Sequence, residues 1–282
     1  MRHDAEMFHD ALPNLATRPT LGRRGFAWLL ALGAMCVLAT PLSAQMLRPP
    51  GITGEDGRTQ VAAVVPPWTA IGRLNRRIGG FCTGTLVAPD RVLTAAHCLW
   101  NKRTRRWLPA QSLHFVVGYH RGAYLADSTI ASYRLSPQAE VDSGGRLVNL
   151  LDDWALLTLT RPITNAGTLV VAPLSRDELP ALRADGLTQA AYHQDKAHIL
   201  SLHQHCPLIG LAAGSGAILH RCDATRGSSG SAILRQSGDG YAIIGIHVAT
   251  VRTSTDSMGA AVPVPESVLR EVGGEAALPV AR

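Results

Sequence analysis

From Thr59 to Val264 the apolar residues come in short runs broken by Gly, Pro, Asp and Ser, and no long 3.6-residue period competes with them. That texture excludes a helical protein and predicts an all-β one. One set of runs covers Val61–Val65, Ala70–Leu74, Phe81–Ala88, Arg91–Ala95, Leu113–Gly118, Thr129–Leu135, Arg146–Leu150 and Trp154–Thr160. A second set covers Gln189–His193, Ala197–His203, Ile209–Ala213, Ala217–Arg221, Ser231–Arg235, Tyr241–Val248 and Gly259–Val264. Between them, 161–185 is richer in Pro, Arg and Asp and reads as a crossover. The chain therefore divides into a β-rich unit over 59–160, the crossover, and a second β-rich unit over 186–264. Residues 265–282 follow as a helix and tail, with Pro265 in the first turn and Gly273 after the last. Strand spacing alone suits either barrels or a sandwich.

Residues 1–44 read as an export signal of the Sec or twin-arginine kind. Arg23 and Arg24 precede an apolar run from Gly25 to Leu38, and Leu42-Ser43-Ala44 ends in a small residue before Gln45. The run is too short for a confident membrane span, so no stable anchor is expected after its removal. A secreted or periplasmic location follows. Residues 45–58, rich in Pro and Gly, read as a short propeptide or mobile arm, with the mature terminus between Gln45 and about Ile52. Cys36 falls inside the signal, which leaves Cys82, Cys98, Cys206 and Cys222. Four cysteines in an oxidising compartment imply two disulfides, with three pairings open. His198, His203 and His205 form the densest histidine group, read as a polar exposed face and not a metal site. The formal net charge of +6 comes from scattered arginines, apart from a loop holding Lys102, Arg103, Arg105 and Arg106. That loop reads as a solvated excursion, and no nucleic-acid partner is expected.

Three local patterns carry chemistry. An apolar strand runs into Thr94-Ala95-Ala96-His97-Cys98; Asp153 stands just before the apolar run of Trp154 to Leu159; and Ser229 lies in the glycine-flanked Gly227-Ser228-Ser229-Gly230-Ser231. Histidine, aspartate and serine in that order supply a base, an orienting carboxylate and a nucleophile. The order differs from those of the α/β-hydrolases and subtilisins, and the GxSxG signature is absent. Ser229 is preferred over Ser228 and Ser231 because it has a glycine two residues before and one after it.

TAAHC at Thr94–Cys98, DWALL at Asp153–Leu157 and GSSGS at Gly227–Ser231 resemble the chymotrypsin-like serine peptidases. The bacterial branch that includes the glutamyl endopeptidases is the nearest in pattern, with Gly245-Ile246-His247 matching its GIH. The resemblance implies two antiparallel β-barrels, an active site in the cleft between them and a short C-terminal helix. It implies an endopeptidase acting on polypeptides through an acyl-enzyme, with His97 as general base and Asp153 orienting it. The N–H groups of Gly227 and Ser229 would form the oxyanion hole. Cys82–Cys98 is the pairing the resemblance implies, and with it Cys206–Cys222 is favoured. No metal or organic cofactor is required, and a monomer is expected. For specificity, Asp223 stands where the trypsin pattern places a carboxylate for Lys or Arg. His247 stands where the glutamyl-endopeptidase pattern places a receiver for Glu, and Arg226 lies beside the oxyanion loop. A non-catalytic binding module on the same fold and an esterase using the same triad are the alternatives.

Overall fold

The computed structural model describes residues 49–52, 54–252 and 257–272; the expected signal and the last ten residues lie outside them. The strands in chain order are β1 (Thr59–Gln60), β2 (Ile71–Arg76), β3 (Phe81–Ala88), β4 (Arg91–Thr94), β5 (Trp100–Asn101), β6 (Arg106–Trp107), β7 (Leu113–Val117), β8 (Ala126–Leu135) and β9 (Ala155–Leu159). The second half adds β10 (Val170–Val171), β11 (Leu187–Ala191), β12 (Ser201–Cys206), β13 (Leu208–Leu211), β14 (Ile218–His220), β15 (Ala232–Ser237), β16 (Gly240–Arg252) and β17 (Ser257–Pro263). Among the described residues two short helices complete it, α1 (Leu179–Asp185) and α2 (Glu266–Val272).

β2, β3, β4, β9, β8 and β7 close into an antiparallel barrel in that order. Its interior holds Leu74, Leu86, Val92, Phe115, Ile130 and Leu157, all fully buried. The second-half strands follow the order β1-β12-β11-β15-β16-β17-β14-β13, with β10 alongside β16. Two expectations change here. Thr59–Gln60 pairs with Leu202–Ser201 in the second sheet, so the first barrel begins at Ile71 and not at Thr59. The second sheet does not close by a hydrogen-bonded ladder. It curls instead, because Pro207 alone joins β12 to β13 near opposite ends of the strand order, and proline has no N–H to give to a ladder. The result is a barrel beside a half-barrel, a chymotrypsin-like arrangement.

Disulfides link Cys82 to Cys98 across the first barrel and Cys206 to Cys222 across the bend at Pro207. The crossover is more structured than its composition suggests. Ser175 and Glu178 form a capping box that leads into α1, and Val170–Val171 adds a parallel strand to β16. Two expected strands are not strands. Val61–Val65 is mostly turn, and Arg146–Leu150 makes only an isolated bridge between Leu147 and Val141. One apolar cluster runs through both halves, from Leu86 and Phe115 to Tyr192, Leu234 and Ile243. Continuous burial of this kind fixes the orientation of one sheet against the other, and the candidate site residues lie along that junction.

Candidate active site

β4 delivers the chain to Ala95, which is still extended (φ −85°, ψ 143°), and a 3-10 turn over Ala96–Leu99 then swings His97 outward. Ala95 and Ala96 are fully buried, so larger side chains have no room there. Asp153 follows another 3-10 turn, Leu150–Asp152, whose cap Asn149 accepts from the Leu151 amide. The Asp153 carboxylate holds His97 twice. Its Oδ1 accepts from the His97 backbone N–H at 2.8 Å, and its Oδ2 lies 2.7 Å from Nδ1. A carboxylate only accepts, so Nδ1 carries the proton and the Nε2 lone pair is left outward. Asp152 does something different: its oxygens take bonds from Ser136 and Asn149 and brace the turn.

The loop of Ser229 is docked onto β3. Thr83 N–H donates to the Ser229 carbonyl at 2.9 Å, and Thr83 Oγ1 donates to the Gly227 carbonyl at 2.9 Å while accepting from the Tyr192 N–H at 3.0 Å. Such close docking needs glycine. At Gly230 (φ 83°) a Cβ would stand 2.1 Å from Thr94 Oγ1 and 2.3 Å from the Thr83 carbonyl oxygen. The three serines separate cleanly. Ser228 Oγ donates to the Thr225 carbonyl at 2.7 Å, and Ser231 Oγ accepts from Gln189 at 2.8 Å; both are buried. The half-buried Ser229 hydroxyl has no partner among the described residues. The N–H groups of Gly227 and Ser229 likewise donate to nothing there, whereas those of Ser228, Gly230 and Ser231 are all committed.

Ser229 opens onto a cavity of about 610 Å³, and His97 with Asp153 line a second of about 350 Å³. Val248 and Ala249 wall both, so the cavities adjoin. His247 lines the larger one. The Cys222 N–H donates to His220 Nδ1 at 3.1 Å, so the His220 proton sits on Nε2 and points at His247 Nδ1, 3.2 Å away. Neutral His247 therefore carries its own proton on Nε2, which no other described residue takes. Burial first, then the charge of nearby His97, lowers its pKa to about 4 despite Asp153. His220 too is lowered well below its ordinary value, by burial and then by His247 and His203. Arg226 is exposed at the cavity rim. Asp223 does not line the cavity: its carboxylate accepts from Gly57 N–H at 2.9 Å and lies 3.4 Å from His203 Nδ1. His198, His203 and His205 turn to Tyr119, Asp223 and the Asp185 carbonyl, three separate partners. Cys82, His97 and Cys98 bring donor atoms within 4.8 Å of one another, but both sulfurs are spent in the disulfide.

The sequence did not single out His220, Thr225 or Asp195. His220 meets His247 because β14 and β16 flank β17, and Gly259 on β17 leaves the space its ring fills. Thr225 and Asp195 both line the larger cavity, and the Thr225 hydroxyl donates to Asp195.

A barrel packed on a half-barrel, with a serine-glycine loop at the junction, defines a hydrolase of chymotrypsin-like fold. The trypsin family model matches residues 56–269, and the chain belongs to that family: it is a trypsin-like serine endopeptidase. Among solved structures it is similar to a Glu endopeptidase in complex with MPD, at 21% identity and a TM-score of 0.64. That match covers 79% of this chain and 97% of the other.

Proposed function

We propose that the protein is an exported endopeptidase that cleaves after acidic residues through a Ser229 acyl-enzyme. Ser229 Oγ attacks the scissile carbonyl carbon while His97 Nε2 takes its proton. The Gly227 and Ser229 amides receive the oxyanion. Collapse breaks the C–N bond, His97 returns the proton to the leaving amine, and water repeats the sequence to release the acid. The observation that carries this is the uncommitted Ser229 hydroxyl, which opens onto a cavity adjoining that of a histidine whose tautomer is set by Asp153.

The chemistry of the larger cavity supports acidic P1 residues. His247 lines it with an Nε2–H that no described residue takes, and Asp223, the residue that would draw Lys or Arg, is turned to Gly57 and His203. The likeness to a Glu endopeptidase agrees with this reading. Export is supported by the leader-like sequence of residues 1–44 and by the two disulfides.

The test combines a fluorophosphonate probe with peptides differing only at P1. The protein labels, Ser229→Ala does not, and Glu at P1 is cut faster than Gln or Arg. Replacing His247 by Asn lowers kcat/KM for Glu by about 100-fold and for Gln far less, since a buried donor to a carboxylate is lost. Absence of labelling overturns the catalytic reading, and a preference for Arg overturns the acidic one.

A further inference from the structure

Asp195 is the one carboxylate on the wall of the larger cavity, among the described residues, and its side chain stays 28% exposed. An anion there opposes a substrate anion. The structure answers with Arg58, whose side chain is 1% exposed. Its guanidinium meets both oxygens of Asp195, at 3.1 and 2.6 Å, and both oxygens of Asp56, at 2.8 and 2.9 Å. Lys196 adds a bond to Asp56 at 2.9 Å. Two cations and two carboxylates thus balance behind the wall. Thr225, the neighbour of Asp195 in the cavity, donates to the same carboxylate.

Resting on the acid-binding reading above, we propose that Arg58 is a specificity-determining residue: by pairing with Asp195 it cancels the one negative charge on the P1 cavity wall, so that the cavity accepts an acidic side chain and not a basic one. Asp195 is ionised at any working pH. Burial alone would raise its pKa, but the bonds from Arg58 and Thr225 and the charge of Arg58 outweigh burial and hold it at about 2. Its charge therefore cannot be removed by protonation and has to be matched. Arg suits this position because its planar fork serves two carboxylates at once without losing its charge when buried. Arg58 also acts from a distance: it does not line the cavity, and it works through Asp195.

A purely structural clamp would also explain the buried ion pair, by pinning 54–58 to the second sheet. The two roles differ in what they do to ratios. We compare kcat/KM for peptides with Glu, Gln and Arg at P1 in the wild type, Arg58→Gln, Asp195→Asn and the double variant. The Glu-to-Gln ratio falls at least about tenfold in Arg58→Gln, because like charges then face each other in a desolvated site, and the Arg-to-Gln ratio rises. Asp195→Asn, with Arg58 left unmatched, moves the Glu-to-Gln ratio the other way, and the double variant returns it near the wild-type value. Variants that lower all three substrates in parallel overturn the proposal and leave a clamp. If Arg58→Gln fails to fold, Asp195→Asn decides alone, and an unchanged ratio there is equally fatal. The wild-type ratio tests the acid-binding reading separately. A value near one sinks that reading, whereas a high value that neither variant moves sinks only the role of Arg58.

Discussion

Neighbouring aspartates before β9 have separate tasks. Asp152 is held by Ser136 and Asn149 and braces its own turn, while both oxygens of Asp153 serve His97. Changing Asp153 to Asn presents an amide that can donate to Nδ1, which favours the tautomer with the proton on Nε2, the wrong nitrogen for a base. The expected loss in kcat is about 10⁴-fold with little change in thermal stability. Asp152→Asn keeps an acceptor for Ser136 and is expected to stay within about threefold of wild type, within the range of ordinary surface changes. Steady-state rates on one peptide, beside thermal melts, check both. Each of His97, Asp153 and Ser229 carries a local mark in the chain: small residues before the histidine, an apolar run after the aspartate, glycines around the serine. His220 and Arg58 carry none. His220 reaches His247 across 27 positions through the register on β17, and Arg58 reaches Asp195 across 137. No periodicity encodes such meetings.

At the level of elements, β3 ties the two halves together at one side chain. The buried Thr83 hydroxyl bridges the Gly227 carbonyl and the Tyr192 amide. Replacing it with Val keeps the shape and leaves both groups without that partner, at a cost of about 1–3 kcal/mol. In the proposed mechanism the Gly227 loop would present the oxyanion donors, so kcat is expected to fall more than KM rises. Denaturant melts and steady-state kinetics separate the two effects, and a stability loss with unchanged kcat would show that the loop keeps its geometry without the bridge. The strands themselves were largely legible, since their apolar runs mark β2 through β4, β7 to β9 and β15 to β17. Val61–Val65 and Arg146–Leu150 misled because an apolar run forms a strand only where a partner edge is free. Val61–Val65 keeps one bond, to Leu200, before it turns away, and Arg146–Leu150 keeps one bridge, to Val141. The opening of the second sheet was equally invisible, because closure depends on how far Pro207 bends the chain and not on any pattern of side chains.

For the molecule as a whole, burying neutral histidines sets how stability depends on pH. His193, His220 and His247 are all at most 3% exposed. Burial, helped by the charge of Arg58, lowers His193 from 6.5 to about 3; burial and His97 lower His247 to about 4; His220 lies well below its ordinary value. In the unfolded chain each titrates near 6.5, so as pH falls below that value the unfolded state binds protons that the fold refuses. Stability is therefore full above about pH 6.5 and declines on acidification, by up to about 1.4 kcal/mol per pH unit for each histidine. Asp56 and Asp195 act in the same direction but later, because their folded values lie below an ordinary value of 3.8. Their contribution is present above that point and is lost only below it. The melting temperature should thus fall in two stages, the histidines alone from about pH 6.5 to pH 4 and, below that, the aspartates together with His193 and His220, whose folded values lie lower still. His193→Gln keeps an acceptor for the Thr225 amide but cannot titrate, so it should flatten the first stage by about a third and also ease the second down to about pH 3, where folded His193 takes up its own proton. Calorimetric scans at intervals of half a pH unit resolve the stages. A melting temperature that holds constant down to about pH 5 would mean that protons reach these histidines inside the folded protein.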